Sequence, residues 1–485
     1  MFALAAPLYL TPSASADASV TPGDIYTAVP SSGYQYLHSP QGVAVDSHGN
    51  VYVVDAGAND VKELLPNVVC TTSLAPASCY VIVAGGGAPA ASTSTWTIDG
   101  TAGLSGDGGP ATQAQLNDPL GIAVDSGGNL YIYDTGNYRI RMVPAVSGTY
   151  FGQAMTAGDI YTIAGDGTPG DGGDGGLATS AEVGIGETLA VGTDGSVYFS
   201  DLVSGCVRKV SPEDLITSFA CGLDAPLGLA FDSSGNLYVS SVGANQVFRV
   251  TPAGAVSVFA GTGTPGYAGD GGPATAAQLD VPHGVTVAPN GDVLISDRDN
   301  CVIRSVSSDG TISTYAGDSY ANANGVGRGC AYGGYSGDGG PATGDEAQLG
   351  YPEALTESPS GNLYIVDTGD DALREVIGEQ TPVASDSPPS ISGDDLAGQV
   401  LTANPGEWAG TPYPSLSYQW CVSGDGGVQG DCPPGYSAIA GATSQTYTVV
   451  QQDIGDALTV VVSASNPLAT ASASAAPTSS ISSAQ

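Results

Sequence analysis

Short apolar segments alternate with small polar turns through most of the chain, and residues 119–143 show the pattern in full. An apolar strand (GIAV, 121–124) leads through a turn (DSGGN, 125–129) to an alternating strand (LYIY, 130–133). A polar corner (DTGNY, 134–138) and a last strand (RIRMV, 139–143) follow. A period of two, broken by Gly, Asn and Asp turns, is typical of antiparallel strands. Related copies begin near Pro40, Pro119, Gly186, Pro226, Pro282 and Pro352, and such repetition predicts a radial, all-β repeat fold.

A fourth strand follows the third in most copies. The sequence GDIYT occurs at 23–27 and at 158–162, and the later copy follows the third strand of its repeat. Similar segments lie at 80–85, 216–221, 256–261 and 312–317, whereas the sixth repeat ends at Ile377 without one. We therefore expect the N-terminal strand, residues 23–29, to complete the last sheet. This closure predicts six four-stranded blades with few free sheet edges.

The repeated residues resemble the NHL-repeat family of six-bladed β-propellers. The resemblance lies in P-x-G-[VI]-A-[VF]-D-x-x-G-N-[VL]-Y-[VI] followed by D-x-x-x-[ND]-x-[VIL]-[RK], and it covers about residues 23–377. It implies a propeller domain over residues 20–378, in a fold that hosts binding domains, lyases and lactonase-like enzymes. The third copy departs from the pattern at Gly186 and Thr188, and the fourth has Ser241 where the others carry Asp.

The composition changes on both sides of the repeats. Residues 1–19 resemble the remnant of a secretory signal peptide, with A-x-A sites after a short apolar run. Residues 379–389 form a Pro- and Ser-rich linker. Residues 390–465 resemble a bacterial immunoglobulin-like β-sandwich with Trp420 as its core aromatic residue. The Ala-, Ser- and Pro-rich tail, 466–485, is predicted to be disordered.

Charge and cysteine content favour an exported protein. Ten Lys and Arg against 48 Asp and Glu give a net charge of −38, which disfavours nucleic acid and anionic lipid as partners. No apolar run approaches the ~18 residues of a membrane span, so we expect an extracellular or cell-envelope protein without one. The cysteines fall into four local pairs that favour disulfides over a zinc site: Cys70 with Cys79, Cys206 with Cys221, Cys301 with Cys330, and Cys421 with Cys432.

One ring of side chains is a candidate ligand site. The residue after the leading Pro of each repeat is predicted to lie at the mouth of the central channel. In chain order these residues are Gln41, Leu120, Glu187, Leu227, His283 and Glu353. Two carboxylates, an imidazole and an amide could hold a divalent cation or orient a polar ligand. A structural or solvent-lining role is the alternative.

Long insertions follow several fourth strands, at 86–118, 166–185, 262–281 and 318–351, and strand parity places them on one face around the channel. Aromatic residues in these and neighbouring loops could stack on a sugar or a peptide: Tyr34, Tyr36, Trp96, Tyr267, Tyr332, Tyr335 and Tyr351.

The insertions share the sequence GDGGPAT or a variant of it. Its aspartates could bind calcium but are more typical of tight turns: Asp107, Asp171, Asp174, Asp270 and Asp338. The recurring corner aspartates indicate turn capping: Asp55, Asp134, Asp201, Asp297 and Asp367.

The sequence is compatible with three different functions. The first is non-catalytic recognition of a protein, peptide or glycan by a monomeric exported protein, through the loop-rich face and without a cofactor. The second is a metal-dependent lactonase or lyase acting at the channel mouth. The third is a purely structural envelope component. No G-x-S-x-G motif is present, and the paired cysteines leave no thiol to serve as a nucleophile.

Overall fold

A computed structural model describes most of the chain. The described residues are 23–29, 37–65, 80–86, 100–318, 330, 336–343, 347–378, 381–385, 387–406, 408–411, 415–423, 432–465 and 470–483. The chain divides into two compact units, Met1–Ile377 and Gly378–Gln485. The predicted signal remnant, the Cys70–Cys79 pair and five of the loop aromatics lie outside the described residues: Tyr34, Tyr36, Trp96, Tyr332 and Tyr335.

The first unit is built from short strands. In chain order they are β1 (Asp24–Val29), β2 (Pro40–Val45), β3 (Val51–Asp55), β4 (Asp60–Leu64), β5 (Tyr80–Ala84), β6 (Gly109–Pro110), β7 (Pro119–Val124), β8 (Leu130–Asp134), β9 (Arg139–Val143), β10 (Gly148–Tyr150), β11 (Gln153–Met155), β12 (Asp159–Ala164), β13 (Leu189–Val191), β14 (Val197–Asp201), β15 (Cys206–Val210), β16 (Ile216–Cys221), β17 (Pro226–Phe231), β18 (Leu237–Ser241), β19 (Gln246–Val250), β20 (Val256–Ala260), β21 (Pro282–Val287), β22 (Val293–Asp297), β23 (Val302–Val306), β24 (Ile312–Ala316), β25 (Gly340–Pro341), β26 (Pro352–Glu357), β27 (Leu363–Asp367) and β28 (Ala372–Val376).

Single 3-10 turns occupy many of the corners and insertions. They are Ala56–Ala58, Ala111–Gln113, Thr135–Asn137, Ala178–Ser180, Ala274–Ala276, Arg298–Asn300 and Thr368–Asp370.

The strands form a ring of antiparallel sheets. Sheet 1 is β2-β3-β4-β5, sheet 2 is β7-β8-β9-β12, sheet 3 is β13-β14-β15-β16, sheet 4 is β17-β18-β19-β20, sheet 5 is β21-β22-β23-β24 and sheet 6 is β26-β27-β28-β1. The first strand of each sheet contacts the first strand of the next, and β26 returns to contact β2. The first strands therefore surround a central channel, and the fourth strands lie at the outer rim.

The N-terminal strand completes the last sheet, as predicted. Ile25 lies opposite Val376 and Val29 lies opposite Leu373 in the β1–β28 pairing. Ile25 and Val29 are fully buried. The ring is thus closed by strands from the two ends of the first unit.

The repeated part of each long insertion packs at the outer rim, between consecutive sheets. The expectation that the insertions crowd one face around the channel is therefore wrong for these residues. We call them capping segments: 106–116, 173–183, 269–279 and 337–349, the last described except for 344–346. Each one buries two alanines and a leucine or valine: Ala111, Ala114 and Leu116; Ala178, Ala181 and Val183; Ala274, Ala277 and Leu279; Ala342, Ala347 and Leu349. Small side chains are needed here because each segment fits between two sheets.

The second unit is also all-β. Its strands are β29 (Thr381–Ser385), β30 (Ser390–Ser392), β31 (Val400–Asn404), β32 (Trp408–Thr411), β33 (Ser415–Ser423), β34 (Tyr436–Ala438), β35 (Thr446–Thr448), β36 (Leu458–Ser465) and β37 (Thr470–Ser474), with a 3-10 turn at Gln451–Asp453. They form the sheets β29-β32, β30-β31-β35 and β34-β33-β36-β37. Trp420 is fully buried in a cluster that includes Leu401 and Val460, and its ring stacks on Tyr447 with centroids 5.7 Å apart.

Two predictions about the second unit are wrong. The segment predicted as a linker, 379–389, contains β29, which pairs with β32. The tail predicted to be disordered, 466–485, contributes β37, which pairs along β36, and the buried side chain of Ile481. Alternating Ala and Ser look like low complexity in the sequence, but alternation also suits a strand with one buried face.

Three of the four predicted disulfides lie within the described residues and are present: Cys206–Cys221, Cys301–Cys330 and Cys421–Cys432. Cys206 and Cys221 are directly opposite each other on β15 and β16. Among the described residues there is no helix with the length and apolarity needed to cross a membrane.

Candidate functional site

The channel is narrow because neighbouring first strands approach each other closely. A Cβ added at Gly121 would lie 2.4 Å from the carbonyl oxygen of Glu187, and one at Gly284 would lie 2.3 Å from that of Glu353. Glycine at this repeat position therefore permits the contact. Thr188 departs from the pattern and instead donates its hydroxyl to the carbonyl of Leu227. The cavity enclosed by these strands measures about 60 Å³. Pockets for organic ligands usually measure ~300–1,000 Å³, so this cavity is much smaller than a usual site for an organic ligand.

One end of this channel carries the predicted ring of side chains. Glu187 belongs to sheet 3 and His283 to sheet 5, yet the Nε2 atom of His283 lies 3.0 Å from a carboxylate oxygen of Glu187. The pair reaches past Leu227 of sheet 4, which is 3% exposed. His283 is buried, whereas the Glu187 side chain is one-quarter exposed. Two non-neighbouring sheets are therefore joined over the channel.

A second pair lies beside the first. Arg298 donates from Nε to Glu353 at 3.0 Å, and Thr368 donates its hydroxyl to the other oxygen of Glu353 at 2.9 Å. The guanidinium of Arg298 also lies over the Tyr351 ring, 4.9 Å from its centroid. We call Glu187, His283, Arg298, Tyr351 and Glu353 the mouth cluster. It places donors, acceptors and an aromatic face together, with Arg298 27% exposed at its side chain.

Sequence reasoning missed Arg298. It follows the corner aspartate of sheet 5, where the other sheets have Ala56, Thr135, Leu202, Val242 and Thr368. An arginine at one copy of this position was a signal, because Thr135 and Thr368 at the same position both face the next sheet. Their hydroxyl oxygens lie 3.1 Å from the carbonyl oxygen of Gly186 and 3.0 Å from that of Pro40.

Two predicted residues do not join the mouth cluster. Gln41 hydrogen-bonds weakly to Ser39, with Nε2 and Oγ 3.4 Å apart. Tyr267 lies at the outer rim, where its hydroxyl contacts Asp270 and its ring lies under the guanidinium of Arg304. Trp96 and Tyr335 lie outside the described residues. Of the two loop aromatics that lie within the described residues, Tyr267 and Tyr351, Tyr351 lies at the channel mouth.

The corner aspartates cap turns, as predicted. Asp134 illustrates this role, because it accepts the backbone N–H of Asn117 at 2.8 Å and the side-chain amide of Asn137 at 2.8 Å. Asp55, Asp297 and Asp367 accept the equivalent N–H groups, and Asp201 accepts those of Val203 and Ser204. Their recurrence therefore reflects the fold.

Aspartates of the capping segments are held by buried arginines. Arg304, fully buried, donates to both Asp297 and Asp270, and Thr314 donates to Asp270 from its backbone and its hydroxyl. Although partial burial raises the pKa of Asp270, these hydrogen bonds and the guanidinium hold it below its usual range. The same arrangement recurs at Asp107 with Arg141, Asp174 with Arg208 and Asp338 with Arg374. Carboxylates engaged in this way do not fit a calcium site.

Charges within the mouth cluster shift the pKa of its members. Burial lowers the pKa of His283. The hydrogen bond that His283 donates to Glu187, together with the charges of Glu187 and Glu353, outweighs burial and the opposing charge of Arg298, so the pKa is raised. Burial raises the pKa of Glu187, but His283 and Arg298 outweigh it and the pKa is lowered. The imidazolium–carboxylate form of the pair is thus favoured.

This pairing predicts a defined pH dependence. Since the pKa of His283 is raised in the folded protein, its contribution to stability should be full below about pH 6.5 and lost as the pH rises through the folded value. Changing Glu187 to Gln should lower the pKa of His283, because it removes the negative charge that counteracts the effect of burial. With only three histidines in the chain, NMR titration of the imidazole resonances can measure this, and His48 in an exposed turn is the internal reference. An unchanged pKa in Glu187→Gln would show that the two side chains do not interact.

Comparisons with known proteins agree with the repeat architecture. Residues 174–326 match the family model for the Teneurin NHL domain, and residues 116–141 match the model for the NHL repeat. These two parts of the first unit are therefore similar to NHL repeats.

Among curated proteins, mouse Teneurin-1 (Mus musculus) is 27% identical over 238 residues, which is 42% of this chain and 8% of Teneurin-1. Human Teneurin-1 (Homo sapiens) is 26% identical over 238 residues, again 42% of this chain and 8% of that protein. The match thus spans a small part of these much longer relatives.

Several solved structures are similar in fold. An auxiliary nutrient binding protein from Bacteroides thetaiotaomicron VPI-5482 has a TM-score of 0.48 at 14% identity, covering 72% of this chain and 75% of that chain. A gluconolactonase from Xanthomonas campestris has a TM-score of 0.42 at 16% identity, covering 72% and 88%. A streptogramin B lyase has a TM-score of 0.41 at 14% identity, covering 72% and 96%.

Proposed function

We propose that this chain is an exported, non-catalytic recognition protein that binds a protein, peptide or glycan at the channel mouth. In this proposal the six sheets are the blades of a six-bladed propeller, and the second unit is an immunoglobulin-like sandwich that acts as a spacer or adhesive arm. The observation that supports it best is the mouth cluster. Its charged groups are already paired with one another, above a cavity much smaller than a usual site for an organic ligand.

The chemistry of the mouth cluster suits a neutral, hydroxyl- or amide-bearing ligand. The side chains of Glu187 and Arg298 are 25% and 27% exposed, so they can hydrogen-bond to a ligand lying across the mouth. The aromatic ring of Tyr351 adds a surface for stacking. With a net charge of −38, the chain should prefer ligands that are neutral or cationic.

The alternative, a metal-dependent lactonase or lyase, has less support. Glu187 and Glu353, the carboxylates that would ligate a metal, receive hydrogen bonds from His283 and Arg298 instead. The positive charge of the Arg298 guanidinium would repel a metal cation bound beside it. Within the described part of the chain, no group of three His, Cys, Asp or Glu side chains has metal-binding geometry.

The proposal is tested by probing glycan and peptide arrays with the labelled full chain. We expect specific binding that is reduced at least about tenfold in Arg298→Met/Glu353→Gln, which removes both charges and leaves no buried carboxylate unpaired. Arg249→Met is the matched control. It changes an exposed arginine on β19 of sheet 4 and should bind normally.

Two results would count against recognition at the mouth. One is an array without specific binding. The other is a thermal midpoint that rises on adding Ca²⁺, Mn²⁺ or Zn²⁺ to the chelator-treated chain and no longer rises in Glu187→Gln, which would favour the metal-dependent alternative.

A further inference from the structure

Capping segments cover the outer edge of four sheets. Glycines of each segment hydrogen-bond to the backbone of the first apolar residue of the fourth strand. Gly271 donates to the carbonyl of Ile312 at 2.8 Å, and Ile312 donates to the carbonyl of Gly272 at 3.0 Å. The same position is paired at Ile160, Ile216 and Ile25. Sheets 2, 3, 5 and 6 therefore end in a short extra ladder rather than a free edge.

Sheet 4 has no such cover among the described residues. The link that precedes its first strand is only residues 222–225, too short to hold a capping segment. Ile160, Ile216, Ile312 and Ile25 are all 0% exposed, whereas the equivalent Val256 is 40% exposed. Val258, two residues further along the same outer strand, is 41% exposed. Comparison with the four capped sheets thus shows which residues of sheet 4 are left exposed.

Side chains around this edge also differ from those of the sheets that carry a capping segment. In sheet 5, Asp270 of the capping segment is held by Arg304 and Thr314, and Arg304 also pairs with the corner Asp297. Sheet 4 has Ser241, Phe248 and Val258 at the positions of Asp297, Arg304 and Thr314, as the strand registers show. The polar partners of the capping aspartate are absent from this sheet, and an apolar surface takes their place.

Sheet 1 also lacks a described capping segment, but the residue at the equivalent position is buried. The equivalent position is Tyr80, which is 7% exposed, and the ammonium of Lys62 lies 5.0 Å from its ring centroid. Within the part of the chain that the structure describes, the exposed apolar residue at this position therefore belongs to sheet 4. We call Phe248, Val256 and Val258 the sheet 4 edge.

We propose that the sheet 4 edge binds an extended segment of a partner protein, which adds to β20 as a fifth strand. The capping segments show the geometry that such a strand would adopt, with two backbone hydrogen bonds at Val256. Backbone pairing would supply affinity, and a side chain over Phe248 and Val258 would supply specificity. That side chain must be apolar, since an aspartate there would meet neither an arginine nor a threonine.

Charge argues that the occupant is a different, non-acidic protein. A second copy of this chain would bring another net charge of −38 to the same edge. The nearest exposed charge on the neighbouring strand is Arg249, which does not by itself attract a basic segment. An extended apolar segment without acidic residues fits these conditions.

The test uses the full chain and two synthetic peptides. One peptide has the sequence of residues 105–116, SGDGGPATQAQL, and the other carries Asp107→Leu. We expect the leucine peptide to bind at least about tenfold more tightly than the aspartate peptide in a fluorescence titration. Val256→Thr/Val258→Thr should weaken binding of the leucine peptide about tenfold, while Val81→Thr, at a 42% exposed valine of sheet 1, should not.

A reversal of preference is the sharper test. Ser241→Asp/Phe248→Arg/Val258→Thr rebuilds in sheet 4 the polar set of sheet 5, so this variant should prefer the aspartate peptide. The proposal is overturned if the leucine peptide fails to bind at about 1 mM, or binds the Val256→Thr/Val258→Thr variant as tightly as the wild type. It is also overturned if sedimentation shows a dimer that this double variant dissociates, because the occupant would then be a second copy. None of these outcomes depends on binding at the channel mouth.

Discussion

Changing Arg304 to Met is expected to lower the free energy of unfolding of the first unit by about 3–5 kcal/mol. Arg304 is fully buried, and its guanidinium contacts the carboxylates of Asp297 and Asp270. Burial raises the pKa of Asp297 to about 7 even beside Arg304, so removing the guanidinium leaves this fully buried group with a carboxylate form that has no cation. An unpaired buried charge is among the few single changes with effects this large. Denaturant unfolding followed by far-ultraviolet circular dichroism measures the loss.

Sheet 4 supplies the control and the compensating variant for this experiment. Arg249→Met removes an exposed arginine and should change stability by less than about 0.5 kcal/mol. Asp297→Ser/Arg304→Phe/Thr314→Val copies the apolar set of sheet 4 and should recover part of the loss, because it leaves no buried charge. If Arg304→Met loses less than about 1 kcal/mol, the buried ion pair is not what holds the capping segment.

Changing Ile25 to Asp is the second large effect, and it tests ring closure. Ile25 is 0% exposed in the core between sheets 5 and 6, where it lies opposite Val376 and Gly340. Placing a carboxylate there should destabilise the first unit by more than about 4 kcal/mol and open the ring at β1. The thermal midpoint of the full chain should fall by 10 °C or more, on the order expected for a loss of this size.

Val81→Asp is the matched control for Ile25→Asp, because it places the same carboxylate on an outer strand at a 42% exposed position. Its midpoint should stay within about 2 °C of the wild type. Equal effects of the two variants would mean that β1 is not an integral part of sheet 6.

The arrangement of strands could be predicted from the sequence because it is repeated. Each copy shows a similar alternation and similar turn residues, so the strands of a copy that departs from the pattern can be assigned by comparison with the other copies. The missing fourth strand of the last repeat, together with the two occurrences of GDIYT, was enough to predict the β1–β28 pairing. Local spacing also predicted the disulfides that lie within the described residues.

The candidate site could be predicted only in part. Repeat position identified Glu187, His283 and Glu353, but not which of them would meet, since that depends on the diameter of the ring. Arg298 could not be predicted in this way, because it follows a corner aspartate and a single charged residue at a corner is ordinarily solvated. Strand parity predicts the insertions, including the capping segments, on one face around the channel, where long loops usually carry recognition. Their buried alanines and their partners on distant strands appear only when the sheets are assembled.

The most direct test of recognition at the mouth is the affinity of the tightest array ligand, measured by calorimetry against matched variants of the full chain. Glu187→Gln/His283→Gln and Arg298→Met/Glu353→Gln each neutralise one pair of the mouth cluster, while Val256→Thr/Val258→Thr alters only the outer rim. We predict an affinity loss of at least about tenfold in both mouth variants and none in the rim variant. Unchanged affinity in both mouth variants would contradict the proposal.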